Sequence, residues 1–300
     1  MPMILNSFHT PVLLTKVLDL LSIVPGKKYI DATLGGGGHS LEIIKRGGKV
    51  LGIDQDEEAI TYVKKRAREE NINRNLIICE GNFRNIEKIA RENGFERVDG
   101  ILFDLGVSSF QIDSSGRGFS FHKDEELDMR MSKKGKTTAY DVINHYRSER
   151  LYELFAQNAE ELNSRAIADA VIRARSIKKS EIRTTKELSE IIESVLKKEH
   201  PNKTATLARI FQALRIEVNG ELEALKEALG DAINLLNPNG RIAVISFHSL
   251  EDRIVKRFFK REEEGGRLEI VTKRPIQADY NEVKQNKRAH SAKLRVAQKI

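Results

Sequence analysis

Two hydrophobic periodicities alternate along the first third of the chain. Short, continuous apolar runs that are typical of buried strands alternate with segments whose apolar positions recur every three or four residues, as in amphipathic helices. The predicted strands are a run ending at Asp31, Lys49–Asp54, Leu76–Cys79 and Val98–Asp104. The predicted helices are Pro11–Ser22, a segment from the glycines to about Arg46, Glu57–Asn71 and Phe83–Asn93. Strands that alternate with helices predict a parallel sheet with right-handed crossovers.

A long, strongly helical interval separates Asp104 from the next predicted strand, Arg241–Ser246. A single crossover helix needs far fewer residues. Thr184 and Glu187 form a capping box that opens one helix, and His200-Pro201 is expected to end it. Further apolar stripes predict helices over residues 167–174, 207–218 and 222–236.

This interval is expected to contain a separate subdomain. We predict that residues 110–205 form an inserted, all-helical subdomain that covers the ligand face and recognises the substrate. Residues 1–109 and 206–300 are then expected to form the main domain around the sheet.

The pattern of the segment that follows Ser246 predicts one helix and two more strands. Ser249 and Asp252 suggest a cap for a helix that runs to about Arg261. His248, just before it, either faces the ligand edge or satisfies local hydrogen bonds, and the second role is favoured. The last strands are expected at 268–272 and 292–297, which completes seven strands with a final hairpin pair.

A glycine-rich turn follows the first strand, in the run Asp31-Ala-Thr-Leu-Gly-Gly-Gly-Gly-His-Ser40. Four glycines between a strand and a helix allow a tight turn and a close approach of the backbone to a ligand. Ser40 stands where the dinucleotide fingerprint has its third glycine. The turn alone therefore indicates a nucleotide-like ligand, with a mobile connection as the alternative.

Further candidate residues follow the ends of successive strands. The glycines, Asp54, Gly81-Asn82-Phe83 and Asp104 all fall at the carboxyl ends, where open parallel sheets bind ligands. Asp54 is placed to accept hydrogen bonds from ribose hydroxyls, or else serves as a helix N-terminal acid. Phe83 stacks on an adenine or belongs to the core. A dinucleotide enzyme and an S-adenosylmethionine enzyme both fit these residues, although a final hairpin pair is the sheet expected of a methyltransferase.

Charge and cysteine content narrow the class of protein. The net charge is +7, and Arg253–Ile300 holds 14 Lys/Arg and 6 Asp/Glu, a net of +8. This basic end predicts contact with a polyanion such as nucleic acid, with a solvated surface as the alternative. The single cysteine excludes an intrachain disulfide, and no metal site is predicted. No signal pattern and no membrane-length apolar run is present, so a cytoplasmic location is expected.

Several stretches, in order along nearly the whole chain, resemble one family. They are His9–Leu14, Asp31–Ser40, Asp104–Ser109, Arg117–Phe121, Leu127–Met131, Phe211–Asn219, Gly240–Arg253 and Ser291–Val296. The family is the bacterial ribosomal RNA small subunit methyltransferase H family, also called MraW. The resemblance implies a Rossmann-like, class I methyltransferase domain with a seven-stranded, mostly parallel sheet and a helical insertion. It also implies transfer of a methyl group from S-adenosylmethionine to the N4 amine of a decoding-site cytidine in 16S rRNA, within the small ribosomal subunit.

Candidate site residues form two groups, of which only the cofactor group is carried over from the family motifs. The cofactor group is Gly37, Gly38, His39, Asp54, Phe83, Asp104 and Gln111. Asp104 is the candidate catalytic residue, either as a cofactor contact or as the acceptor of the amine hydrogens. Candidates for RNA contact are Phe110, Phe119 and Phe121 by stacking, and Lys273, Arg274, Lys287, Arg288, Lys293 and Arg295 at phosphates.

Two departures from the family pattern and two rival functions accompany this interpretation. Phe110 stands where the family usually has proline, and Glu125-Glu126 stand where it usually has Gly-Pro. The rivals are a non-catalytic RNA-binding assembly factor and a nicotinamide-dependent oxidoreductase. The sequence leaves the oligomeric state open.

Overall fold

The computed structural model describes residues 11–178, 181–196 and 202–300. The chain forms two compact units. The first comprises the residues up to Ser108 together with Leu222–Ile300, and the second is Ser109–Glu221.

A seven-stranded sheet forms the centre of the first unit. Its strands are β1 Lys28–Asp31, β2 Lys49–Asp54, β3 Leu76–Glu80, β4 Val98–Asp104, β5 Leu236–Ser246, β6 Leu268–Ile270 and β7 Lys293–Lys299. The spatial order is β3-β2-β1-β4-β5-β7-β6, and only β7 runs antiparallel to its neighbours. The predicted Rossmann-like sheet, mostly parallel with a final antiparallel pair, is confirmed.

Helices account for most of the remaining structure. In chain order they are α1 Leu14–Leu21, α2 Gly38–Lys45, α3 Glu57–Glu69, α4 Ile86–Glu92, α5 Ser109–Asp113, α6 Ala139–His145, α7 Ser148–Asn158, α8 Ser164–Lys178, α9 Thr185–Val195, α10 Lys203–Asn219, α11 Glu221–Leu235, α12 Ser249–Glu264 and α13 Tyr280–Gln285. Within the described ranges, none of them combines the length and hydropathy that a membrane-spanning segment requires.

The sheet is buried on both faces, which explains its continuous apolar runs. Neighbouring residues on a strand point to opposite faces. Accordingly, Ile30 and Leu51 belong to one core cluster, whereas Tyr29 and Val50 belong to the other.

The position where the chain reverses its direction of winding lies between β1 and β4, because β2 and β3 continue on one side and β5 continues on the other. Such a switch point is where ligands bind in open α/β sheets.

Two sequence predictions around β5 are corrected. The strand begins at Leu236 rather than Arg241, because Leu236 pairs with Val98 and the register then shifts before Gly100. The expected Asn-Pro-Asn-Gly turn thus becomes an irregularity inside the strand.

The cap of α12 is His248 rather than Ser249. The His248 side chain accepts from the Glu251 N–H, and the Glu251 carboxylate accepts from the His248 N–H. His248 therefore makes the local hydrogen bond that was favoured for it, through Nδ1, while its Nε2 has no hydrogen-bond partner among the described residues.

The second unit has its own apolar core. In the described part of this unit every regular element is helical, apart from an isolated bridge between Glu126 and Thr184. The capping box of Thr184 and Glu187 is confirmed, and α9 ends at Val195. The predicted stop at 200–201 lies outside the described residues. The predicted boundary at residue 205 is too early, because α10 buries Leu207, Phe211 and Leu214 in this core.

Candidate functional site

The glycine-rich loop after β1 remains bonded to the strands on either side. The Ala32 N–H donates to the Leu102 carbonyl and the Leu34 N–H to the Ile53 carbonyl, both at 2.9 Å. Between them, the Thr33 hydroxyl accepts the Asp104 N–H at 2.6 Å. These bonds fix the loop at the carboxyl ends of β1, β2 and β4.

Two glycines of the loop are required for different reasons. Gly37 has φ +73°, a left-handed conformation that side chains disfavour, and a Cβ there would lie 3.0 Å from Val63 Cγ1. Gly38 begins α2, and a Cβ there would lie 2.9 Å from Pro11 Cγ. Gly37 and Gly38 therefore allow the start of α2 to pack closely against Val63 and Pro11, and the first N–H groups of a helix have no partner within it.

Asp54 at the end of β2 is fixed by two backbone donors. Its carboxylate accepts the Gly35 N–H at 2.7 Å and the Asp56 N–H at 2.9 Å. Burial raises the pKa of Asp54 to about 6, against these two hydrogen bonds, which lower it. Each carboxylate oxygen has a second acceptor lone pair. Asp54 can therefore hold the glycine loop and accept hydroxyl groups of a ligand at once.

Phe83 lies beside this acid. The Gly81 N–H donates to the Asp54 carbonyl at 2.8 Å, and Asn82 bonds to Gln55 at 3.0 Å, which joins the ends of β2 and β3. The Phe83 ring is half-buried and packs edge-to-face on Phe103, with centroids 5.7 Å apart. One side of the ring therefore packs on the core, and the remainder is exposed at the sheet edge that carries Asp54.

Asp104 at the end of β4 meets the helix that follows the glycines. His39 Nδ1 lies 3.5 Å from Asp104 Oδ2, and His39 Nε2 lies 3.1 Å from the Val12 carbonyl oxygen. Burial raises the pKa of Asp104 well above its ordinary value, and the negative charges of Asp31 and Glu251 raise it further. Burial also raises the pKa of Asp31 to about 6, although the Ser40 hydroxyl donates to it at 2.7 Å.

Three buried polar atoms at this corner have no hydrogen-bond partner among the described residues. They are Asp104 Oδ1, Ser246 Oγ and His248 Nε2. Glu251 Oε1 lies 3.2 Å from His248 Nε2, but out of hydrogen-bond alignment. Asp104 pairs with Ile245 in the sheet, so these atoms follow the ends of adjacent strands. Buried polar groups are costly unless a partner satisfies them, and such a cluster therefore indicates a polar ligand.

Ser246 was missed by the sequence analysis. Its signal is its position as the last residue of an apolar strand, at the same edge as Asp104, where local pattern does not distinguish it from a cap residue. In the described part of the chain, no group of three or more His, Cys, Asp or Glu side chains is arranged to hold a metal ion.

The predicted residues Gln111, Phe119 and Phe121 belong to the second unit. Gln111 lies on α5, where its carbonyl accepts the Ser115 hydroxyl at 2.6 Å. Both rings pack partly against the core of that unit; Phe121 lies 5.6 Å from the Phe211 ring. The site described above is built from the first unit alone, and the roles of these three residues stay predictions.

Two family motifs serve the architecture of the second unit. Asn219 accepts the Met131 N–H at 2.8 Å and donates to the Met129 carbonyl at 2.9 Å. The buried Arg117 donates to the Arg130 and Met131 carbonyls, both at 3.0 Å. These bonds fix the backbone of the Leu127–Met131 segment, so the motif residues Asn219 and Arg117 have a structural role.

One of the departures from the family pattern also has a local partner. The Glu125 carboxylate accepts the Gly118 N–H at 2.9 Å. Its backbone N–H donates to the Thr185 hydroxyl at 3.0 Å, so Glu125 joins the start of α9 to the loop.

The predicted phosphate contacts divide into exposed and buried cations. Lys273, Arg274 and Lys287 are exposed, and Arg288 is half-buried. All four lie between β6 and β7. The pairing of Ser246 with Lys293 places the end of this connection at the sheet edge that carries the site.

Arg295, which was predicted at a phosphate, has a partner within the protein. Arg295 is 8% exposed, and its guanidinium donates to both Asp252 oxygens, with Nε 2.7 Å from Oδ1. Lys293 also forms an ion pair with this carboxylate, with its Nζ 3.7 Å from Asp252 Oδ2. The partner lies on α12, which the local sequence around β7 does not indicate.

Replacing Arg295 with alanine is therefore expected to destabilise the fold rather than weaken polyanion binding. Without the Arg295 guanidinium, the largely buried carboxylate of Asp252 loses its main ionic partner. The expected decrease in the free energy of unfolding is about 2–3 kcal/mol, since Lys293 compensates in part for the loss. Urea denaturation measures this, with the exposed Lys287→Ala as the control, expected to change stability by less than about 0.5 kcal/mol. Equal stability losses in the two variants would contradict the assignment.

Known proteins resemble the chain along nearly its whole length. The model of the MraW methylase family matches residues 6–300. A ribosomal RNA small subunit methyltransferase H from Carboxydothermus hydrogenoformans is 45% identical over 313 residues, which cover 97% of this chain and 98% of that protein. Proteins of the same name from Finegoldia magna and Clostridium botulinum are each 43% identical, over 97% of this chain and 98% and 99% of their own lengths.

Proposed function

Because the chain belongs to the MraW methylase family, we propose that it transfers the methyl group of S-adenosylmethionine to the N4 amine of a decoding-site cytidine in 16S rRNA. Membership of this family makes the chain an S-adenosylmethionine-dependent rRNA methyltransferase. The target atom, the target position and the assembled small subunit as substrate are the parts that we propose.

The observation that carries the proposal is the buried acceptor on Asp104. Oδ1 of this residue has no partner among the described residues, lies at the switch point of the sheet and follows the strand next to the glycine loop. The amine of cytosine is a poor nucleophile, because its lone pair is delocalised into the ring. An oxygen that accepts its N–H group orients that lone pair and stabilises the positive charge that develops on nitrogen during transfer.

The remaining first-unit residues support binding of the cofactor. S-adenosylmethionine supplies an electrophilic methyl group on a sulfonium, and this chain's residues hold it in place. Gly37 and Gly38 are proposed as cofactor contacts through their backbone at the start of α2, where the first N–H groups of the helix have no partner within it. Asp54 would accept the ribose hydroxyls, and the exposed part of Phe83 would lie against the adenine. Gln111 of the second unit keeps its predicted role as a cofactor contact.

The RNA is proposed to contact the basic connection between β6 and β7. Lys273, Arg274, Lys287 and Arg288 are the cations assigned to phosphates. A target base in folded RNA must leave its stack to be methylated, and the half-buried Phe119 and Phe121 of the second unit are candidates to stack on an unstacked base. The second unit is proposed to select the RNA.

Cofactor affinity is expected to fall as the pH is lowered through about 6. Burial raises the pKa of Asp54 to about 6, so the carboxylate is ionised above that pH and protonated below it, where it is a weaker acceptor for ribose hydroxyls. Calorimetry with S-adenosylhomocysteine, which keeps the ribose and lacks the sulfonium charge, measures this effect. Below pH 6 the dissociation constant should rise by up to about tenfold per pH unit.

The Asp54→Asn variant is the control for this titration. It should bind more weakly at pH 8 and lose most of the pH dependence. An undiminished dependence in the variant would assign the titration to Asp31 instead, because burial raises the pKa of that residue to about 6 as well.

The proposed function is tested with undermethylated small subunits and cofactor carrying a labelled methyl group. Mass spectrometry of nucleosides from the 16S rRNA should show labelled N4-methylcytidine at one decoding-site position. Label on another base or another position would overturn the proposed target. Binding of RNA without any transfer would favour the assembly factor, and binding of a nicotinamide cofactor in place of S-adenosylmethionine would favour the oxidoreductase.

A further inference from the structure

Methylation of an amine releases a proton, and the corner around Asp104 contains a pair of residues suited to take it. We propose that His39 and Asp104 share one proton between Nδ1 and Oδ2, and that the pair takes up the proton that the methylated amine loses. This inference rests on the proposed function for its substrate, although the shared proton is a property of the free protein.

The tautomer of His39 follows from its contact with Val12. A backbone carbonyl only accepts, so the Nε2 atom 3.1 Å from the Val12 oxygen must carry a hydrogen. In the neutral ring, Nδ1 is then an unprotonated acceptor. This acceptor lies 3.5 Å from Asp104 Oδ2.

A neutral ring beside an ionised Asp104 would place two lone pairs against each other. One proton between them removes this conflict, either as an imidazolium beside a carboxylate or as a neutral ring beside a carboxylic acid. Hydrogen bonds of catalytic groups are often long in ligand-free structures and shorten in the complex. His39 is almost fully buried and the Asp104 side chain is 10% exposed, so water competes little for the proton.

The charged groups packed around the pair favour retention of the proton. Asp31 on β1 and Glu251 on α12 are the acids whose charges act on Asp104, and both raise its pKa. Asp31 is held by the Ser40 hydroxyl, and Glu251 by the backbone N–H groups of Phe247 and His248. These negative neighbours stabilise an added positive charge, which suits a pair that must accept a second proton.

The proposed proton transfer is balanced in charge and electrons. The N4 lone pair forms the new bond to the methyl carbon, and the electrons of the broken C–S bond remain on sulfur as a thioether. N4 keeps the electrons of its N–H bond, and the proton moves to Asp104 Oδ1. If Oδ2 held the shared proton, that proton moves to His39 Nδ1. Either starting state ends as a His39 imidazolium beside a neutral Asp104 carboxyl. The imidazolium then carries the positive charge that the sulfonium had. One proton afterwards leaves the pair to solvent.

The two residues have different tasks in this scheme. Asp104 is the catalytic residue, since its Oδ1 contacts the amine. His39 is a positioning residue that acts through Asp104, because its Nδ1 holds or receives the proton on the far oxygen. Ordinary structural support by His39 would require its contact with Val12 but no proton on Nδ1.

Nitrogen NMR of the full chain with ¹⁵N-labelled histidine tests the shared proton directly. The His39 signals are identified by their loss in His39→Gln, whose amide can retain the bond to the Val12 carbonyl but has no atom in the Nδ1 position. Between pH 6 and 8 we expect an Nδ1 shift intermediate between protonated and bare nitrogen. In Asp104→Asn the Nδ1 should become bare, and the ring should titrate at a lower pH, because the carboxylate that shares the proton is absent.

A bare Nδ1 in the unaltered protein, or a ring titration that Asp104→Asn leaves unchanged, overturns the inference. If His39→Gln does not fold, as judged by circular dichroism, His39→Asn serves in its place. As a second measurement, the pH profile of methyl transfer should shift in the folded His39 variant, and kcat should fall about 10- to 100-fold with less effect on KM for RNA. A shared proton in a protein that transfers no methyl group would refute the proposed function alone, whereas intact transfer with a bare Nδ1 would refute this inference alone.

Discussion

Replacing Asp104 with asparagine is expected to reduce kcat for methyl transfer by about 10³-fold. Asparagine keeps the size of the side chain, so the glycine loop should retain its bond between the Thr33 hydroxyl and the backbone N–H of residue 104. The amide cannot take a proton from the amine, and its nitrogen donates where Oδ1 accepts. Calorimetry with S-adenosylhomocysteine should show binding within about fivefold of the unaltered protein.

The opposite result would assign Asp104 to the cofactor. If the variant bound S-adenosylhomocysteine at least tenfold more weakly and kept its kcat at saturating cofactor, the acid would be a cofactor contact. Asp99→Asn is the matched control, because Asp99 lies on the same strand at the opposite end, where it accepts the Lys28 N–H at 3.3 Å. This variant should keep kcat within about twofold.

The same substitution at Asp104 should stabilise the fold at neutral pH. The pKa of Asp104 lies well above its ordinary value in the folded protein, so the unfolded chain ionises at lower pH than the folded one. Stability therefore falls as the pH rises above the unfolded pKa of about 3.9. Asp104→Asn removes this cost, and its melting temperature should exceed that of the unaltered protein at pH 7 but not at pH 3. A buried acid retained at such a cost is consistent with a role in the reaction.

Much of the sheet is encoded in local pattern, and its exceptions have physical causes. Strands β2 and β4 end in acids after buried, mainly apolar runs, because both faces of the sheet are covered. The start of β5 is hidden, since Asn-Pro-Asn-Gly is typical of a turn and only the pairing of Leu236 with Val98 extends the strand through it. The end of the second unit is hidden for a similar reason: an amphipathic α10 does not specify which core it joins.

The candidate site is predictable as a set of residues but not as a set of contacts. Strand ends and a glycine loop locate Asp54 and Asp104 on one edge of the sheet. The contact of His39 with Asp104 depends on the angle at which α2 leaves the loop, and local sequence does not specify this angle. The partner of Arg295 is also hidden from the local sequence. The segment around Arg295 is basic and close to the end of the chain, yet its guanidinium bonds to the carboxylate of Asp252, which is distant in sequence.

Replacing Asp54 with alanine should weaken cofactor binding by about 100-fold. The variant loses the charge-assisted acceptor for the ribose, and it also leaves the Gly35 N–H without the carboxylate that holds the glycine loop. Calorimetry with S-adenosylmethionine and with S-adenosylhomocysteine should show the same loss, because the ribose is common to both. Asp54→Asn, which keeps an oxygen acceptor without the charge, should lose about tenfold.

Lys287→Ala should have the complementary effect. Lys287 is exposed on the connection between β6 and β7, so its removal should leave cofactor affinity within about twofold. RNA binding should weaken, and the slope of log K against log salt concentration should decrease by about 1, as for the loss of one phosphate contact. If Asp54→Ala and Lys287→Ala reduced cofactor affinity equally, the glycine loop and the basic connection would not have separate tasks. Unequal effects would mean that the sheet edge binds the methyl donor while the cations beside β7 hold the RNA.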